Sequence, residues 1–184
     1  MGYFYFAFND ILKQDACQAL SSLLTQFAAQ SDAYCERLNE LYSAHKNGLQ
    51  QPREAELKKC LEDILTLRNR GQMFIIIDAI DECPDGNDTP SPREKVLELV
   101  GWLSNLGCPH LSICVTSRPE ADIKKVLHPL ASHTVSLHRE NGQKEDIANY
   151  IKWFIKSDAK VQQKWREEDK ELVQKKLLEK AEGM

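Results

Sequence analysis

No run of apolar residues in this chain approaches the roughly 18 needed to cross a bilayer as a helix. No basic block is present either: 24 Lys and Arg stand against 28 Asp and Glu, a formal net charge of −4. That balance argues against a dedicated nucleic-acid binder. The six cysteines, at positions 17, 35, 60, 83, 108 and 114, include no pair closer than C-x5-C. The tight ligand pairs of zinc ribbons and fingers are therefore absent. The five histidines, at 45, 110, 128, 133 and 138, have no Cys or acid at ligand spacing, so no zinc site is expected. There is no G-x-S-x-G elbow for a nucleophilic serine and no internal repeat. The first residues, "MGYFYFAFND", lack the basic region of a signal peptide. Phe6 stands where a myristoylation motif has Ser or Thr.

What remains fits a globular cytoplasmic chain with no membrane association. Its 184 residues are 42% hydrophobic and 28% charged, enough to bury a core. Cys17, Cys60 and Cys114 fall on apolar faces, where cysteine acts as a small hydrophobe in a reducing compartment.

Strand-like and helix-like segments alternate. "YFYFAF" (3–8) reads as a strand, followed by a helix over 12–30 with Ala16, Leu20, Leu23, Leu24 and Phe27 on one face, capped by Asp10. Further helices are expected over 33–45 and around Leu57, Leu61, Ile64 and Leu65. "MFIIID" (73–78) has no polar alternation, which predicts a strand covered on both faces. A Gly- and Pro-rich loop (83–92), a helix (93–106), a strand (111–118) and a short helix (120–127) follow. "HTVSLH" (133–138) is expected to be a fourth strand, with helices over 143–156 and 159–182. The predicted class is α/β, a mostly parallel, doubly wound sheet with its site at the carboxyl ends of the strands.

The chemistry collects at two of those ends. In "FIIIDAIDEC" (74–83) an apolar run meets Asp78, Asp81 and Glu82. In phosphate-transfer sites an Asp at a strand tip holds Mg²⁺. An acid a few residues later can orient water. A divalent cation would also relieve repulsion among like charges. The competing interpretation is a solvated acidic turn or helix cap. In "VTSRPE" (115–120), Thr116 and Ser117 offer hydroxyls and Arg118 a planar donor fork suited to phosphate oxygens. A plain salt bridge between Arg118 and an acid is the alternative.

"YFYFAFND…KQ", "FIIIDAIDEC", "VTSRPEADI" and "EDIANYI", in this order, resemble the NACHT-type P-loop NTPase domain of fungal STAND proteins. Those relatives often carry a nephrocystin-3-like N-terminal region, with ankyrin or WD40 repeats further on. The resemblance spans nearly the whole chain. It implies that Asp78 is the Walker B magnesium acid and that Asp81 and Glu82 are the catalytic acids beside it. It implies a sensor role for Arg118, with Thr116 and Ser117 at the nucleotide. The cofactors implied are Mg²⁺ with ATP or GTP, and the implied partners are NACHT relatives in homo- or hetero-oligomers.

The departures are specific. None of the eight glycines is followed by Lys, so the phosphate-cradling G-x-x-x-x-G-K-[ST] is not in the sequence. By the family's order it would lie before Met1, and "KAEGM" would stop short of a winged-helix region. Ala7 stands where many relatives have an acid. The expected layout is a partial core over 1–156, an incomplete doubly wound sheet with helices on both faces. The start of a following helical lobe is expected over 157–184. Nucleotide binding is expected to be weak or absent, the alternative being a catalytically dead interaction module. Without the P-loop strand, strands 111–118 and 133–138 lose their shared partner, which leaves open edges.

Overall fold

A computed structural model describes residues 1–67, 71–86, 89–136 and 141–181, with side chains undescribed at 141–144 and 180–181. The fold class is α/β. Three strands, β1 (Gly2–Tyr5), β2 (Met73–Asp78) and β3 (Leu111–Val115), form an open parallel sheet in the order β1-β2-β3. Ile75 lies opposite Gly2 and Ile113, and Ile76 opposite Tyr3 and Cys114. This is the open parallel sheet of an incomplete P-loop-like α/β fold.

Helices α1 (Ala16–Ala28), α2 (Asp32–Ala44) and α3 (Glu54–Leu65) fill the crossover from β1 to β2, and α4 (Pro92–Asn105) fills that from β2 to β3. α5 (Ala121–Leu127) follows β3. Parallel crossovers are right-handed. With strands added in one direction, both crossovers fall on the same face of the sheet. Phe4, Phe6, Ile75 and Ile77 on that face join Leu20, Leu23 and Leu24 of α1, Leu61 and Ile64 of α3 and Val96 and Leu99 of α4 in one core. Each such side chain contributes about 1.5–3 kcal/mol by leaving water. Gly2 allows close approach of β1 to α1: a Cβ there would sit 3.0 Å from Leu23 and 3.2 Å from Phe27.

Local signals explain the helix starts. Asp15, not Asp10, caps α1, accepting from the Gln18 amide at 2.9 Å. Asp10 caps the preceding 3-10 turn Ile11–Lys13 instead. Ser91 and Glu94 form a reciprocal capping box at α4, with Pro92 in its first turn.

Four expectations need correction. β2 is not covered on both faces: its residues alternate, and Phe74 is 46% exposed. Its apolar outward residues line a face that also bears the exposed Tyr3, Tyr5 and Cys114, so Cys114 is no core cysteine. Residues 133–136 are not a strand, and 137–138 lie outside the described residues. Apolar alternation cannot make a strand without a neighbour to complete its ladder. The helix expected over 159–182 is two, α7 (Ala159–Lys164) and α8 (Glu167–Ala181), parted where Trp165 turns extended.

Contacts divide the chain into two units, Met1–Ala131 and Ser132–Met184. The second contains α6 (Asn141–Ser157), α7 and α8 around a small core of Ile151, Ile155 and Val161. No helix among the described residues is long and apolar enough to cross a membrane.

Candidate functional site at the carboxyl rim of the sheet

β2 and β3 are adjacent and parallel, so the acids following one and the Thr-Ser-Arg segment following the other emerge on the same rim. Thr116 joins the two ends. Its amide donates to the Ile77 carbonyl at 3.0 Å, and its carbonyl accepts from the Ile80 amide at 3.2 Å. Its Oγ1 accepts from the Ala79 amide at 3.0 Å and donates to the Asp78 carboxylate. Asp78 is exposed at the strand tip.

Beyond Asp78 the chain turns sharply. Ala79 adopts the left-handed conformation, φ 57° and ψ 50°, and opens a single 3-10 turn, Ile80–Glu82. A residue with a Cβ pays to stand there. Ile80 offsets part of that cost by complete burial in the core. The turn lifts Asp81 towards Arg118. The Asp81 carboxylate accepts from the Arg118 amide at 2.9 Å and pairs with its Nε at 3.4 Å. The Asp81 side chain is 8% exposed and that of Arg118 80%, so the acid is sheltered while most of the guanidinium stays in solvent. The salt bridge weighed from the sequence is therefore present, and its acid is Asp81. Glu82 faces elsewhere: it accepts from the Phe8 amide at 3.3 Å. The Ser117 hydroxyl donates to the Arg118 carbonyl at 2.9 Å.

The segment after β1 closes the third side. Gln14 Nε2 donates to the Phe8 carbonyl at 2.7 Å, and the Gln14 backbone carbonyl accepts from Cys83 Sγ at 2.9 Å. Burial pushes the Cys83 thiol up to about 12, so it packs and bonds rather than reacts. Between these segments lies an open cleft of about 370 Å³, lined by Phe8, Asp81, Glu82, Pro84, Arg118 and Glu120 among others.

Arg93 also borders the cleft and carried no weight in the sequence. It is 8% exposed. Nε donates to the Cys83 carbonyl at 3.0 Å and Nη2 to the Asp81 carbonyl at 2.8 Å, while Nη1 meets Glu120 and Asp122. Burial opposes its charge, but the two carboxylates outweigh that and raise its pKa. One sequence signal could have found it: a cation in the first turn of a helix runs against the helix dipole.

The rim thus holds two bonded pairs side by side, Thr116 with Asp78 and Arg118 with Asp81, with Glu82 and Ser117 on the same two segments and bonded elsewhere. Among the described residues, no three His, Cys, Asp or Glu converge as a metal cluster. No curated protein and no solved structure matches the chain. The family model described as nephrocystin 3, N-terminal, matches residues 1–118, which include both rim segments, and the chain belongs to that family.

Proposed function

We propose that this rim is the acid and sensor part of a nucleotide-binding NACHT/STAND-type signalling NTPase that takes ATP or GTP with Mg²⁺. The observation that carries the proposal is the bonded convergence of two adjacent strand ends, Thr116 on Asp78 and Arg118 on Asp81. Ligands of open α/β sheets bind outside the carboxyl ends of their strands.

The residues fit the ion. Mg²⁺ uses one or two carboxylates and keeps water and phosphate oxygens in its other positions, so it needs no cluster of three acids. Asp78 is exposed and oriented by Thr116, and is the acid that would hold it. Once bound, Mg²⁺ would neutralise charge on the terminal phosphates. Asp81 is engaged by Arg118 and aligns that side chain. Glu82, which accepts from one amide among the described residues, keeps acceptor sites with which to orient a water. Arg118, with most of its guanidinium in solvent, presents donors to a terminal phosphate, and Ser117 shares its segment. Since the sequence has no G-x-x-x-x-G-K-[ST], affinity in this chain is expected to be weak.

Calorimetry with Mg-ATP and Mg-GTP tests the proposal. Submillimolar binding that disappears in Asp78→Ala supports it. Absence of binding to the wild-type chain removes it for this polypeptide.

The open sheet favours a second account. Tyr3, Tyr5 and Phe74 are exposed on one face, and β1 and β3 are outer strands among the described residues. On this account the chain is a catalytically inactive module that pairs with intact NACHT relatives through those surfaces. Co-purification with an intact relative, in the absence of nucleotide binding, would favour it.

A further inference from the structure

Two arginines meet the turn after β2, and they are held in opposite ways. Arg118 touches Asp81 with Nε at 3.4 Å and leaves 80% of its side chain in solvent. Arg93 is buried in the first turn of α4. Both the helix dipole and burial disfavour a cation there. Four acceptors compensate, and they come from two separate segments. The carbonyls of Asp81 and Cys83 belong to the acid turn, whereas Glu120 and Asp122 belong to the head of α5. The turn needs such outside support. A single 3-10 turn opened by a left-handed Ala79 has few bonds of its own: Glu82 to Ala79 and Cys83 to Ile80, both 3.0 Å.

We infer that Arg93 is a positioning residue that ties the carbonyls of Asp81 and Cys83 to the carboxylates of Glu120 and Asp122, so that the acid turn and the head of α5 move as one piece. What the turn binds rests on the function proposed above; the tie itself does not. The planar fork is essential, because its nitrogens reach both segments at once. A lysine would keep the charge and satisfy one segment at a time. A displacement of α5 would therefore be felt at Asp81, and any ligand that moves Asp81 would be felt at α5.

Amide hydrogen exchange of the whole chain tests this without requiring a ligand. The reporters are the amides of Glu82 and Cys83, together with that of Arg118, which is bonded to the Asp81 carboxylate. In Arg93→Lys the core amides of α1 and α3 should exchange as in wild type, while the three reporters exchange about tenfold faster. In Glu120→Gln/Asp122→Asn neither altered side chain bonds to the turn, and both are half-exposed, so folding should survive. The same reporters should accelerate there too, and combining the changes with Arg93→Lys should add little. Wild-type exchange at the reporters in Arg93→Lys would overturn the inference. So would acceleration confined to α5 in the double variant, or an even acceleration of core and turn alike in either. Mg-ATP affinity on the same proteins forms a separate arm. If wild type binds, Arg93→Lys should weaken binding several-fold. If wild type does not bind, the nucleotide proposal fails while the exchange data still decide the role of Arg93.

Discussion

The two faces of the sheet are built from the same three strands and have opposite fates. On one, Phe4, Ile75 and Ile77 disappear under α1, α3 and α4. On the other, Tyr3, Tyr5, Phe74 and Cys114 remain in solvent. Composition does not separate them, since Phe74 is as apolar as Ile75. Connectivity does. Strands laid down in one direction with right-handed crossovers put every crossover helix on one side. Covering the second face takes a reversal of strand order, which the described residues do not contain.

The largest contrast between the faces should be chemical. Cys114 is exposed and should react at once with a thiol reagent, whereas Cys60 and Cys83 are buried, their pKa values pushed up to about 11 and about 12 by burial. Labelling with site-resolved mass spectrometry should give rates that differ by a factor on the order of 10³ or more, because the buried thiols wait for an opening event. Equal rates would mean that the second face is covered in solution.

Next comes a pair of neighbours on β2. Ile75→Ala should cost about 2–5 kcal/mol in denaturant unfolding. Phe74→Ala, one residue away, should cost under about 1 kcal/mol. A large loss at Phe74 would show that something packs on the open face.

At the rim where the faces meet, Ala79→Gly should stabilise the fold by about 0.5–1 kcal/mol. Glycine adopts a positive φ without the Cβ clash, and its extra unfolded-state entropy offsets part of that gain. Destabilisation would show that the alanine methyl makes contacts worth more than the strain.

The smallest effect concerns a clip among the covering helices. His45 Nδ1 lies 2.8 Å from the Leu41 carbonyl and Nε2 lies 3.2 Å from Glu56. Chiefly through the Leu41 carbonyl, and then through Glu56, the folded pKa of His45 is raised above its ordinary 6.5. Its stabilisation is therefore complete below pH 6.5 and is lost as pH rises through the raised value. Thermal melts across that window should show a small decline that His45→Gln abolishes.

Much of this was legible beforehand. The β2 segment, its three trailing acids and the Thr-Ser-Arg corner all lie in short stretches, where a strand signal and a polar ending sit side by side. Arg93 was not legible, because its partners stand at 81, 83, 120 and 122 and only the fold brings them together. Asp10 and Asp15, five residues apart, satisfy the same capping rule, and only the fold shows that Asp15 starts α1. Segment 133–138 carried a strand-like pattern, and local pattern cannot report whether a pairing partner exists.

Local chain chemistry alone settled which strand precedes the acids, and that an Asp ends one apolar strand while an Arg follows another. Those features depend on residues a few positions apart. Which face of the sheet is buried, which acid Arg118 engages and which buried cation braces the turn depended on contacts between residues up to about seventy positions apart. Such contacts are set by the order and handedness of the crossovers, and no short window of sequence encodes either.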